Sequence, residues 1–421
     1  MSRRPAQPLD AFTTADFDPR LTRRRRVGRA WALALQAATV VGMVALLALL
    51  LTIINDAFGL VAVEYAVDPR TLAAAPLDEL GHDELLAILR EHLSAGLYRR
   101  YEAEQPFARR SAADLRALVM ERVAAPQVVA QWSLFDSLAN RSAVLRVAAA
   151  EHPQAQVRMA SWLTGRFVSA PQSGDAMRAG VRTAVLGSLW TVAIALLAAF
   201  PIGVGAAIYL EEYARDHLVN RIIQVNINNL AGVPSIIYGM LGLAVFVRLL
   251  GRLTSGLALG VADAGGGDAT ANGRTVLSAG LTLGLLVLPV IIINAQEAVR
   301  AVPASLRQAS LGLGATRWQT VWHHVLPAAL PGILTGTILA ISRAMGETAP
   351  LVVVGASTFI TVDPTGPFSK FTTLPIQIYQ WTSRPQDVFR NLAAAAILVL
   401  LAMLLSLNAV AILLRNRYSG K

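Results

Sequence analysis

PASLRQASLGLGATRWQTVWHHVLP, residues 303–327, is a polar stretch set between two long apolar runs. Its composition predicts two short helices hinged on Gly312 and Gly314. Each half carries a Ser/Thr-x-x-Gln start signal, Ser305 with Gln308 and Thr316 with Gln319, in which hydroxyl and amide satisfy the free N–H groups of a helix end. In the second half Trp318, Val321, Trp322 and Val325 recur at i, i+3, i+4 and i+7. That spacing gives one apolar face and leaves Arg317, Gln319 and His323 on the others. A capped hairpin of this kind suits a docking surface for a cytoplasmic partner; the alternative is an amphipathic helix resting on lipid headgroups.

Outward from this segment the chain is mostly apolar. With 54% hydrophobic residues, 15% charged and a mean hydropathy of +0.50, it reads as an all-α polytopic membrane protein. There are no cysteines, which excludes disulfides, thiolate zinc sites and iron–sulfur clusters. Lysine occurs only at Lys370 and Lys421, and neither follows a glycine-rich loop, so the chain holds no phosphate-cradling lysine motif of its own. Any ATP, with its Mg, therefore sits on another polypeptide. The net charge of +10 is carried largely by Arg23 to Arg26 and by short loops beside apolar runs, a pattern that sets topology and does not call for nucleic acid.

About twenty apolar residues cross a bilayer, and by that measure spans fall near 31–54, 183–210, 226–249, 276–296, 330–355 and 391–414. The arginine cluster before the first span keeps the 1–30 tail in the cytoplasm and makes that span an uncleaved anchor. Six crossings return the 416–421 tail to the cytoplasm, together with the loop carrying Arg300, Arg307 and Arg317. Residues 55–178 interrupt the pattern with mixed charge and helical stretches such as HDELLAILREHL. They read as a mostly helical periplasmic insertion ahead of a membrane core at 179–415. His82, His92 and His152 of the insertion have no metal-ligand spacing. WLTGRFVSAP, 162–171, groups Trp162, Phe167 and Val168 as a return to the membrane interface, and the Gly-rich run 264–274 reads as an outer loop.

In the fifth span Arg343 and Glu347 are four residues apart, hence on one helix face. A charge at that depth costs several kcal/mol and normally faces a polar interior. The guanidinium can offer paired donors to an oxyanion while Glu347 holds it when the path is empty; an internal ion pair that merely neutralises both charges is the other reading. Gly346 suggests close helix approach, and Pro350 removes the donor for the Gly346 carbonyl. Arg178, Arg182, Arg248 and Arg252 fall on the outer side against the usual charge bias. They form either a cationic vestibule or ends snorkelling to headgroups. Asn226, Asn228 and Asn229 suit interhelical hydrogen bonds.

The cytoplasmic stretch resembles the E-A-A, three residues, Gly, nine residues, aliphatic, one residue, Leu-Pro loop of bacterial ABC importer permeases. The register gives Gln308, Ala309, Ser310, Gly314, His324, Leu326 and Pro327, with Gln308, Ser310 and His324 as departures. NNLAGVPSIIYGMLGLAVFV at 228–247 and RAMGETAPL at 343–351 are similar to the PstA family of phosphate permeases. The resemblance covers roughly residues 180–415. It implies a type I importer permease core that carries inorganic phosphate by alternating access and catalyses no bond change. It further implies a bacterial inner membrane location, a PstC-like permease as heterodimer partner, a PstB-like ATPase dimer and a periplasmic phosphate-binding protein. The hairpin residues Gln308, Ala309, Ser310, Gly312, Gly314, Thr316, Leu326 and Pro327 would dock the ATPase. Arg343, Glu347 and Thr348 would line the substrate path, and Arg182, Arg248 and Arg252 the outer vestibule. An importer of phosphonate, sulfate or molybdate is the alternative within the class; a membrane sensor with a periplasmic sensing domain is the alternative outside it.

Overall fold

Runs of Leu, Ala, Val and Ile in hydrocarbon have only their own backbone to satisfy N–H and C=O groups, so they close into helices. The computed structural model describes residues 20–73, 75–260, 273–357 and 359–419. The 1–19 tail, Lys421 and nearly all of the Gly-rich run lie outside the described residues. The chain divides into two compact units, 1–53 and 54–421. The first contributes most of α1 (Arg20–Ala57), an apolar helix long enough to cross a bilayer that starts within the arginine cluster.

The second unit begins with an inserted domain. Strand β1 (Phe58–Tyr65) pairs antiparallel with β2 (Pro126–Gln131) on one side and β3 (Gln156–Ser161) on the other. Helices α2 (His82–His92), α3 (Ala95–Glu104) and α4 (Ala112–Arg122) enclose Leu85, Leu89, Leu115 and Val119 in a small core. Short helices α5 (Leu134–Ala139), α6 (Arg141–Glu151) and α7 (Gly165–Ser169) complete the domain. The three-stranded sheet is an addition to the helical expectation. Its central strand follows α1 with no intervening loop, separated from the apolar run only by Asn55 and Asp56, so FGLVAVEY reads as a short trailer to the span. Trp162 and Phe167 are buried, whereas Val168 remains exposed.

The membrane core is built around α12 (Val276–Arg300), whose apolar window is the most buried of the candidate spans. Helix α8 (Arg182–Ile208, extended by a π turn over Tyr209–Tyr213) packs along it, and α15 (Leu326–Gly346) lies on another side. Small residues permit the approach: a β-carbon at Gly280 would meet Ile194, and one at Gly203 would meet Ile291. Beside the short α17 (Leu374–Thr382), helix α18 (Asp387–Ser419) leaves its apolar surface largely uncovered, as a lipid-facing helix does.

The expected third span, 226–249, is not one straight helix. Helices α9 (Leu218–Ala231) and α10 (Ser235–Gly242, extended as a π turn to Leu249) meet at 106°. Pro234, with ψ 135°, cannot continue a helix entered through Gly232. The pair nevertheless carries the chain across. Helices α8 and α12 run parallel, because Glu211 at the end of one pairs with Arg300 at the end of the other. The connecting segment must return to the opposite side. It does so alongside α12: Gln224 bonds Gln296 near one end, and Thr275 donates to the Thr254 carbonyl at the other, just after α11 (Gly251–Thr254). The interhelical amide contact is thus made by Gln224 and Gln296 and not by the asparagines; Asn226 bonds back to Ile222 of its own helix.

Candidate functional site

Two places on the core bring polar side chains together. The first is the polar hairpin. Helix α13 (Ala304–Gly312) enters from Pro303, which serves as N-cap without a side-chain bond. The expected Ser305 cap is therefore absent, because Pro303 turns the chain into the helix one residue before Ser305 and leaves that serine inside the first turn. Gly314 does supply the turn, at φ 86°, a conformation a β-carbon disfavours; Gly312 stays helical. Helix α14 (Arg317–Thr320) starts with the expected box, Thr316 Oγ1 accepting from Gln319 N–H and Gln319 Oε1 from Thr316 N–H.

From Arg317 the backbone stays helical to Gly346 through a π turn at Val321–Val325. Pro327 does not end the helical path: it sits in the first turn of α15, where the wider turn absorbs its missing N–H and Leu326 N–H reaches back to Val321 O. The predicted apolar face also divides. Val321 and Val325 are buried, while Trp318 and Trp322 stack on each other at 5.4 Å and stay exposed, at 60% and 53%. With Leu311 and Leu313 they make an exposed apolar patch, beside which Gln308, Ala309, His323 and His324 are also exposed.

What holds the hairpin was not apparent from sequence. Ser310, buried, shares a 2.9 Å hydrogen bond with Thr320 and so clasps its two halves. Arg307 donates to Glu212 Oε1 through Nε and Nη2, at 2.9 and 2.7 Å, and to the carbonyls of Val302 and Val299 at the end of α12. Arg300 binds Glu211 through two nitrogens, at 2.6 and 3.2 Å. The only sequence signal for this clamp was the adjacent acid pair in YLEEY at the end of an apolar span. Its partners lie 89 and 95 residues away.

The second place is a helix break. The expected fifth span, 330–355, is interrupted: α15 ends at Gly346, Glu347 turns to ψ 128°, and α16 (Ala349–Val354) begins with Pro350 in its first turn. Thr348 precedes α16 without capping it. Arg343 Nε lies 3.5 Å from Glu347 Oε1, with side chains 40% and 18% exposed. A β-carbon at Gly346 would meet nothing within 4 Å, so close approach is not its role. The tight contact is Gly239 of α10 against α16, where a β-carbon would fall 2.6 Å from Pro350 Cα and 2.9 Å from its carbonyl oxygen. Tyr238 beside it is buried and donates to the Leu230 carbonyl, pinning the α9–α10 bend. Ser342 donates to Asn408 and ties α15 to α18.

The arginines expected at the outer face separate into two kinds. Arg182 pairs with Asp363 at 2.8 Å and Arg178 with Asp175 at 2.8 Å. Arg248 and Arg252 are exposed and make no ion pair among the described residues.

Residues 180–420 match the family of binding-protein-dependent transport system inner membrane components. The chain belongs to that family. Among similar proteins are the probable ABC transporter permease YqgI of Bacillus subtilis, 34% identical over 52% of this chain and 68% of that one, and PstA 1 of Mycobacterium tuberculosis, 33% identical over 56% and 70%. The phosphate transport system permease PstA of Xylella fastidiosa is 31% identical over 57% and 77%. As a member of this transport family the chain is a membrane-embedded permease subunit of an ABC importer, and the inserted domain lies outside the matched segment.

Proposed function

We propose that this permease carries inorganic phosphate, with both termini and the hairpin at the cytoplasmic face and the inserted domain in the periplasm. The observation that carries the reading is the Arg343–Glu347 pair at the helix break. An exposed guanidinium whose only ion pair among the described residues is with a neighbour on its own chain segment can exchange that carboxylate for a substrate oxyanion. Several similar proteins bear the name phosphate transport system permease, which favours phosphate over phosphonate, sulfate or molybdate. In this reading Glu347 re-engages Arg343 once phosphate has passed, and the Thr348 hydroxyl lies at the same break. A PstC-like permease supplies the other half of the path, and a periplasmic binding protein delivers the substrate. A PstB-like ATPase dimer, which holds the ATP and Mg, docks on the exposed patch of Leu311, Leu313, Trp318 and Trp322. Closure of the ATPases pushes the hairpin, and the Glu211 and Glu212 clamps pass that motion to α8 and α12.

The test is ATP-dependent uptake of radiolabelled phosphate by the complex reconstituted in vesicles. Arg343→Gln should lower uptake by about tenfold or more, the equivalent of losing one charge-assisted contact, with subunit assembly intact. Undiminished uptake in that variant would remove Arg343 from the path. Suppression of uptake by excess sulfate or molybdate would move the substrate to those oxyanions.

A further inference from the structure

A cavity of about 300 Å³ lies where the inserted domain meets the membrane core, a size at the lower end of ligand sites. Its walls come from the end of β3, from α7, from the 176–179 segment and from Leu392 in the second turn of α18. Three guanidinium groups line it: Arg158, Arg166 and Arg178. Arg158 is exposed, and its side chain has no hydrogen bond or ion pair among the described residues. Arg166 is held by Glu121 at 2.9 Å through Nη2. Arg178 is held by Asp175 at 2.8 Å and by Glu121 at 3.7 Å, both through Nε, so its terminal nitrogens keep donors for a further acceptor. Arg166 and Arg178 thus share Glu121, which also lies 3.7 Å from Arg122 Nε, Asp175 serves Arg178, and Arg158 is left without a carboxylate. Trp162 also lines the cavity. It is 7% exposed, yet its indole N–H has no acceptor among the described residues. Such a donor, buried without a partner, costs stability unless a ligand or water satisfies it. Apart from Ser161 and Thr164, the remaining side chains of the lining are apolar, with Phe167 and Leu392 at 4% and 1% exposure.

The depth of the cavity follows from its neighbours. The backbone N–H of Trp162 donates to the carbonyl of Ala57, the last residue of α1, and Leu392 stands near the start of α18. Both mark the level at which hydrocarbon gives way to water, where an indole presents its apolar body to one side and its N–H to the other.

We propose that this cavity is a phosphate-binding site at headgroup depth. Arg158, Arg178 and the Trp162 indole N–H would donate to the phosphate oxygens of an anionic phospholipid, and Phe167 and Leu392 would cover its glycerol and first methylenes. The site joins the inserted domain to the core through that lipid. It is separate from the Arg343 break and stands whether or not the chain carries phosphate.

The same oxygen chemistry could come from free phosphate, and the experiment separates the two sources. Full-length protein, purified in detergent and stripped of lipid, is titrated with radiolabelled phosphatidylglycerol and, separately, with radiolabelled inorganic phosphate. Arg158→Gln, an exposed change that should leave the fold intact, and Trp162→Phe are measured beside it. Saturable binding of one phosphatidylglycerol per chain is expected, weakened about tenfold by Arg158→Gln, on the scale of one charge-assisted hydrogen bond. A smaller loss is expected in Trp162→Phe, with elution volume and thermal midpoint unchanged in the arginine variant. Binding of inorganic phosphate alone with the same sensitivity would keep the phosphate site and replace the lipid as its source. Equal binding by native protein and Arg158→Gln, or saturable binding of neither probe, would overturn the proposal.

Discussion

The hairpin end and the helix break use the same chemical pair, arginine with glutamate, in opposite ways. At the hairpin Arg307 is 23% exposed and Glu212 12%, and the pair joins residues 95 apart while also closing two carbonyls at the end of α12. At the break Arg343 faces a carboxylate four residues away, at 3.5 Å, with 40% of its side chain open. The first pair fixes one element to another. Its desolvated partners have nowhere else to go, so loss of either leaves a charge without compensation. The second is local and loosely held, and the backbone beneath it is already bent. The contrast separates a cation that ties two elements together from the one proposed above to exchange its carboxylate for substrate.

Gly239→Leu tests whether the break is fixed by backbone contact and not by the ion pair. A side chain there must displace Pro350, whose Cα lies 2.6 Å from the added β-carbon. Overpacking of this kind costs about 1–3 kcal/mol and occasionally more, so the largest loss of thermal midpoint in detergent is expected here. Retained stability would mean that α10 and α16 separate freely. Arg307→Ala comes next. Breaking a buried pair costs about 3–5 kcal/mol, and partial exposure of this one should bring the fall to about 2 kcal/mol. ATPase activity in the assembled complex should uncouple from uptake. If coupling survives, the clamp does not transmit motion. Glu211→Gln should do least, below about 1 kcal/mol, because its partner Arg300 is 69% exposed and solvent screens the pair. An effect as large as that of Arg307→Ala would erase the distinction between the two clamps.

The membrane helices were legible because about twenty apolar residues suffice to announce one, and hydropathy needs no knowledge of neighbours. The Thr316–Gln319 box and the Gly314 turn were legible for a similar reason, since each is settled within a few residues. The interruptions at 232–234 and 346–348 were not, because a hydropathy window averages across a bend. Pro234 and Pro350 were visible, but whether a proline kinks, ends or merely opens a helix depends on what packs beside it. Pro327 shows the third outcome, sitting inside a continuous helix with a π turn before it. Ser310 looked like a departure from a family pattern, and only the opposing Thr320 gives it a role.

The sequence by itself determined the membrane environment, most of the long apolar helices, the hairpin and the family, all from local composition and spacing. Tertiary structure alone decided that Glu212 clamps the hairpin and Glu211 the end of α12, that Gly239 and not Gly346 is the point of close approach, and that Trp162 ends over a basic cavity. Those results join residues tens to more than a hundred positions apart. Spacing along the chain carries no information about such distances until the helices have packed.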